Sequence, residues 1–521
     1  MQSNIQKKID HVVILMMENR SLDNLLGWLY ETKQPQHFLP AGTPEKYKGL
    51  TGTGYSNPLY LNVPSSEIKA TKGKGHFRVP NPDPNESFKH MNKQLFGLEI
   101  DKSHCNWLPK EGTIPSMQGF LADYRTAKCS NEKIASQIMQ SYTPQNLTVL
   151  SGVAQQYAVS DNYHASCPTQ TWPNRAFMHA GTSEGNVNNS PYSPYNSKTI
   201  FNVFEEANES WKVYKSSKII PSLTRLQMCQ LWDLELDDHF QHVDDFIDAC
   251  NNPDKCTLPA YSFIEPSFVA EEGNNATSEH PPANVCAGDH FLQKIVNSVV
   301  NSQYFDKILL IVNYDEHGGC PDHVPPSWNA VPPDKKSLQS KSGFHFNRYG
   351  VRVPAPFVSP YILPKTCIRA NDDPWSSNPK QPFDHTSLLA MLLDWKNIDR
   401  KCLPSKRVQA APKNLFDDLL AGKTDTNRPT QPFKAQCLFK KQSFWSRLKN
   451  FFKNLFGICA DGYSLTSLQQ SILIADLHYR IAQSNKFKTN ERASQNAIDD
   501  LLSKVKTERQ MHAHFQSFIE K

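Results

Sequence analysis

The chain contains no apolar run long enough to cross a bilayer. Its clean hydrophobic stretches, such as Val12 to Met17 and Ile308 to Val312, fall far short of the roughly 20 residues a membrane helix needs. It also lacks any CxxC pair: the 12 cysteines are scattered singly from Cys105 to Cys459, which argues against a zinc knuckle or a dithiol redox centre. Most are expected to be reduced, buried thiols, and Cys250 and Cys256, which close the shortest loop, are the best disulfide candidates. Glycine is scarce beside proline, 22 against 37, so the long loops are expected to be stiff. Met1 to Asp10 is polar and the first apolar run ends in Glu18, so no secretory signal is read and export is expected to use another route. The bulk of the chain has no basic excess. From Gln436 to Lys521 there are 13 Lys+Arg and 7 Asp+Glu, or +6 of the total +5, which leaves −1 for everything before it and gives no support for nucleic-acid binding.

What is present is a large soluble α/β pattern. At 521 residues, 38% hydrophobic, with a mean hydropathy of −0.56, the chain is long enough for one large domain and an appendage. Ile9 to Met17 and Ile308 to Tyr314 are nearly continuous β-branched and aliphatic runs, the mark of parallel strands covered on both faces. Phe291 to Val300 carries helical periodicity, and Ser387 to Trp395 is predicted as a helix after Asp384-His385-Thr386. Helix-then-strand order predicts a doubly wound, mainly parallel sheet with helices on both faces, whose site lies beyond the strands' carboxyl ends. A composition shift divides the chain into a catalytic domain, 1–435, and a basic helical region, 436–521.

Polar clusters sit beside the apolar runs: Glu18-Asn19-Arg20-Ser21, Thr171-Trp172-Pro173-Asn174-Arg175, His280-Pro281-Pro282, and Asp315-Glu316-His317-Gly318-Gly319 with Asp322-His323. Acidic oxygens, a hydroxyl and imidazoles at strand ends suit metal-assisted phosphoryl transfer. Taken singly, each has a plainer meaning. Glu18-Asn19 would cap a helix starting at Ser21, Asp315 to Gly319 would form a strand-ending turn, and Thr171 would be a loop residue before a proline.

In series these clusters resemble the phosphoesterase family of phosphatidylcholine-preferring phospholipases C and related acid phosphatases. The residues carrying the resemblance are His11 to Gly27 (HVVILMMENRSLDNLLG), Asp101-x-x-His104-x-x-Trp107, Ser160 to Arg175, Ser262 to Pro266 (SFIEP), the HPP at His280, Tyr314 to Pro326, and Val351 to Pro360. The resemblance implies an alkaline-phosphatase-like fold and hydrolysis of a phosphate ester. It implies Thr171 as nucleophile, and Glu18, Asn19, Asp315 and Glu316 as ligands of a divalent metal ion; an all-oxygen set suits Ca²⁺, Mg²⁺ or Mn²⁺, and Zn²⁺ is compatible. It further implies that His104 and His280 contact the phosphate, one of them protonating the leaving alkoxide. Asn174, Arg175, His323 and His385 are candidate substrate contacts, with Arg175 equally suited to bracing the nucleophile loop through a buried ion pair. Leu22 and Cys320-Pro321 depart from the aromatic residues usual in relatives, which bears on pocket shape.

The expected reaction is phospholipase C hydrolysis of a glycerophospholipid, foremost phosphatidylcholine, to diacylglycerol and a phosphorylated head group. Two alternatives are a phosphomonoesterase of the acid phosphatase kind using the same residues and a catalytically inactive lipid-binding protein. Phe444 to Phe456 places aromatics and leucines on one helical face beside Arg447, Lys449 and Lys453, as an interfacial helix would, so a membrane surface is an expected partner. The same pattern would also serve a helix packed on the body.

Overall fold

The structure is a computed structural model that describes residues 8–42, 46–97, 108–127, 130–189, 193–252, 257–271, 275–370, 381–413, 415–420, 427–438 and 466–483, with short stretches between 500 and 515. Among these residues a nine-stranded sheet comprises β1 (His11–Met17), β2 (His37–Leu39), β3 (Ala158–Ser160), β4 (Trp211–Lys215), β5 (Phe240–His242), β6 (Tyr261–Glu265), β7 (Ile308–Tyr314), β8 (Ala355–Val358) and β9 (Thr366–Ile368). The order across it is β2-β9-β3-β8-β7-β1-β6-β4-β5. Every pairing is parallel except the two made by β8, against β7 and β3. The expected α/β class with a mainly parallel sheet is therefore correct, and β8 is its one reversed strand among the described residues.

The central strands are buried on both faces, as their unbroken aliphatic sequences require. All seven residues of β7 are buried, and so are Val12 to Met17 of β1. Each such side chain contributes roughly 1.5–3 kcal/mol by leaving water, which fixes these strands at the centre of the sheet. Helices needed to follow the site are α1 (Leu22–Leu26), α2 (Phe88–Phe96), α3 (Thr171–Ala180), α4 (Leu223–Gln227), α5 (Val285–Val300), α6 (His385–Trp395) and α7 (Ser467–Gln483). Helix α5 starts six residues before its apolar periodicity does, with Asn284 accepting from Cys286 N as its cap. Helix α6 is capped by Asp384, as its sequence suggests.

Two readings of the outer parts need correction or relocation. Cys250 is buried and free, and the described disulfide joins Cys286, at the start of α5, to Cys437 across 151 residues, with Cα atoms 5.8 Å apart. Short separation along the chain favours loop closure but does not aim two Cβ atoms at one another; Cys256 lies outside the described residues. The aromatic segment Phe444 to Phe456 also lies outside them. Helix α7, further along, packs into the main core through Leu468, Ile472, Leu473 and Ala475.

Candidate active site

Pairing of β1 with β7 runs in register from His11 with Ile308 to Met17 with Tyr314. The next residues, Glu18 and Asp315, therefore leave the sheet side by side at its carboxyl edge, where open α/β sheets place their ligands. Asp315 N donates to Met17 O at 3.2 Å, and Asn19 N donates to Asp315 Oδ1 at 2.8 Å. Asn19 adopts φ 53°, a left-handed conformation that asparagine tolerates better than most residues. Facing it is Gly318, φ 59°, where a Cβ would lie 2.1 Å from Asn19 O. Only glycine allows that approach. The α1 cap is Ser21, whose Oγ accepts from Asn24 N at 3.1 Å, which leaves the Glu18 and Asn19 side chains for other work.

Those side chains point at the amino end of α3. Thr171 is the first residue of that helix and is fully buried, with Oγ1 3.4 Å from Glu18 Oε2 and 3.3 Å from Asn19 Oδ1. The helix dipole favours negative charge at this position. Glu18 is in turn held by Arg175, one turn along α3: Nε donates to Glu18 Oε1 at 2.7 Å and Nη2 stands 2.5 Å from the same oxygen, both side chains fully buried. Asn174 serves the loop before the helix. Its Oδ1 accepts from Cys167 N at 3.1 Å, and its Nδ2 donates to the carbonyls of Cys167, Thr169 and Gln170 at 2.8–3.2 Å. These bonds occupy its amide, so Asn174 braces the loop that leads into Thr171.

The carboxylates crowd together without enough positive charge. Burial, with Asp315 nearby, pushes the Glu18 carboxyl up to about 8 against the opposing pull of Arg175. Burial likewise raises Asp315, and raises Glu316 well above the usual range with Glu86 and Asp315 adding to the effect. Asp315 Oδ2 and Glu86 Oε2 are buried with no hydrogen-bond partner. Raised carboxyl groups and orphaned acceptor oxygens together describe a site built around a cation. The donor set of Glu18, Asn19, Asp315 and Glu316, with the Thr171 hydroxyl beside it, fits a hard divalent ion.

The histidines fall into different places. His280 is brought to the site by a backbone link, Glu18 N donating to Ser278 O at 2.9 Å. Burial opposes its protonation, but the adjacent Glu86 and Asp83 carboxylates outweigh that and raise it to about 10. His385, at the first position of α6, stands 2.7 Å through Nε2 from the Asp315 carbonyl oxygen and 3.1 Å through Nδ1 from Tyr163 Oη; burial lowers it to about 4. A neutral His385 donating to that carbonyl steadies the Asp315 backbone. His323 lies 2.6 Å from Asp23 Oδ2, in a separate cluster where Asp23 and Asp322 share Arg352. Its ring and its backbone N–H both meet Asp23 Oδ2 there. His104 lies outside the described residues.

Sequence reading missed Glu86 and Asp83. Glu86 Oε1 accepts from Asn19 Nδ2 at 2.9 Å, and Asn19 Nδ2 also donates to Glu316 Oε1. Both acids belong to Asn81-Pro82-Asp83-Pro84-Asn85-Glu86, a loop with no hydrophobic period. Gly319 lets this loop close on the site, since a Cβ there would stand 2.7 Å from Pro84 Cβ.

Residues 9–398 match the model of the Phosphoesterase family. The chain belongs to the Phosphoesterase family. It is accordingly a phosphoric ester hydrolase, and the matched span of this phosphoesterase contains every site residue named above. The non-specific phospholipase C3 of Arabidopsis thaliana is 32% identical over 390 residues, 74% of this chain and 69% of that protein. Phospholipase C B of Mycobacterium tuberculosis is 26% identical over 427 residues, covering 74% and 72% respectively. A solved structure in the alkaline phosphatase superfamily from Vibrio parahaemolyticus is 14% identical, covers 51% of this chain and 62% of its own, and has a TM-score of 0.29, too low to bear on the phosphoesterase's architecture.

Proposed function

We propose that this phosphoesterase is a phospholipase C that cleaves glycerophospholipids, phosphatidylcholine foremost, to diacylglycerol and the phosphorylated head group. The observation that carries the proposal is the Thr171 hydroxyl, buried at the start of α3 and facing Glu18 Oε2 and Asn19 Oδ1. Relatives named phospholipase C support the substrate class.

Glu18, Asn19, Asp315 and Glu316 would hold a divalent cation, which lowers the pKa of a neighbouring hydroxyl and screens phosphate charge when bound. Thr171 Oγ1 attacks phosphorus in line with the leaving glycerol oxygen, forming a phosphothreonine whose phosphorus still carries the head-group alcohol as an ester. One of the histidines carried over by family likeness, His104 or His280, gives the leaving alkoxide its proton. Water then hydrolyses the phosphothreonine and frees the head group phosphate. Arg175 fixes Glu18, Asn174 fixes the loop that presents Thr171, and His385 steadies Asp315.

The aromatic face of Phe444 to Phe456 is proposed to hold the enzyme on lipid outside the cell that makes it. Metal-supplemented purified protein, assayed against a panel of phospholipids and phosphomonoesters with both products identified, tests the proposal. Release of diacylglycerol and phosphocholine is expected. Cleavage of monoesters with intact lipids recovered would overturn it in favour of a phosphatase.

A further inference from the structure

Asp83, Glu86 and His280 converge on one point, with a ligand atom from each lying within 4.8 Å of the others. Glu86 is 4% and His280 6% exposed, yet Glu86 Oε2, His280 Nε2 and Asp83 Oδ1 all lack hydrogen-bond partners. The tautomer explains where the imidazole lone pair goes. Nδ1 sits 2.7 Å from the Pro281 carbonyl oxygen, which can only accept, so Nδ1 carries a proton. A metal ion that displaces the Nε2 proton would meet a lone pair turned toward Glu86 Oε1 at 3.4 Å, while Asp83 Oδ1 stands 3.7 Å from Nδ1. A histidine that donates one nitrogen to a backbone carbonyl and aims the other at carboxylates has the arrangement of a metal ligand with its outer shell in place.

We propose that Asp83, Glu86 and His280 form a second divalent-cation site, set apart from the Glu18–Asn19–Asp315–Glu316 group by the side-chain amide of Asn19. Asn19 Nδ2 donates to Glu86 Oε1 at 2.9 Å and also to Glu316 Oε1, so the amide stands between the two groups. Two carboxylates and one imidazole suit a borderline ion, Zn²⁺ or Mn²⁺, better than Ca²⁺.

Charge points the same way. Arg175 acts on Glu18 and Asp315, and Arg20 on Asp83; counted with the neighbouring Glu86 and Glu316, five carboxylates against two guanidinium groups leave a formal −3. One divalent ion reduces this to −1, or to 0 if His280 is an imidazolium; a second ion in place of that proton gives +1. A net positive site is what attracts and holds a phosphodiester. The inference rests on the proposed Thr171 chemistry for its use, and it assigns the leaving-group proton to His104.

Full-length protein stripped with chelator and titrated with Zn²⁺ alone is expected to bind two ions per chain by calorimetry and by metal analysis after gel filtration. Asp83→Asn should lose one of them, and Asp315→Asn the other. Mn²⁺-loaded protein should show imidazole nitrogen couplings in pulsed electron paramagnetic resonance that vanish in His280→Gln, a readout that stands if Asp83→Asn fails to fold. One ion in the wild type, a second ion retained in Asp83→Asn, or no nitrogen coupling would each overturn the proposal. Two ions without hydrolysis of any phospholipid or monoester would sink the phospholipase C reading and leave the second site standing.

Discussion

The indole Nε1 of Trp172 donates to Ser471 Oγ across 2.7 Å, tying the residue after Thr171 to helix α7, 299 residues further on. Gln227 Nε2, from α4, holds the Trp172 carbonyl, and Gln469 Nε2 reaches Phe268 O at 3.4 Å beneath the Arg175 guanidinium, 5.1 Å above that ring. Helix α7 thus braces both ends of the Thr171–Arg175 turn although it lies beyond the family-matched residues. Ser471→Val should orphan a buried indole N–H and cost about 1–3 kcal/mol of stability. Ser471→Thr should restore most of it. Urea midpoints at constant slope measure the difference, and no loss in the valine variant would show that the contact contributes nothing.

Thr171→Ala should reduce turnover on the order of 10⁴-fold or more with the fold intact, since it removes the proposed covalent nucleophile. Thr171→Ser should keep measurable activity, and single-turnover experiments should trap phosphate on it. An alanine variant within about tenfold of wild type, only about 1.4 kcal/mol of barrier, would reject the assignment.

Chelation should abolish activity and a divalent ion should restore it. Asp315→Asn should weaken metal binding, because Asp315 Oδ2 has no partner of its own. Asp322→Asn should instead lower thermal stability with metal affinity kept, because Asp322 accepts from Arg352 Nε at 3.0 Å and from Val324 N at 2.9 Å. Calorimetric metal titration beside thermal melts separates the two. Equal effects from both variants would contradict it.

Asp161 and Arg369 predict an acid-side loss of stability. Burial alone would raise the Asp161 carboxyl, but Arg369 donates to both of its oxygens at 2.8 Å and holds it at about 2. The unfolded chain binds this proton near the ordinary aspartate value of about 3.9. The stabilisation is therefore complete above that value and is lost as pH falls toward about 2, amounting to about 2–3 kcal/mol. Asp161→Asn should remove this dependence, so that the gap in unfolding free energy between wild type and variant narrows across the window. A gap constant from pH 5 to pH 2 would refute it.

The sequence by itself determined the centre of the fold. Val12 to Met17 and Ile308 to Val312 are apolar without alternation, and only a strand covered on both faces buries every residue of such a run. Once two such strands are parallel neighbours, the acids that end them must meet, so Glu18 and Asp315 were legible from one-dimensional information. Tertiary structure alone decided the rest. Asn174 and His385 have sequence contexts no different from those of a substrate contact, yet packing turned the first onto its own loop and the second onto a backbone carbonyl. Glu86, Asp83 and Ser471 carry no local signal, since Glu86 and Asp83 lie in a proline-rich loop and Ser471 on a distant helix. Their positions follow from contacts such as Glu86 with Asn19, 67 residues apart, and Trp172 with Ser471. Such contacts form only when whole elements dock, because a polar side chain's partner is chosen by the burial it must survive and not by its neighbours along the chain.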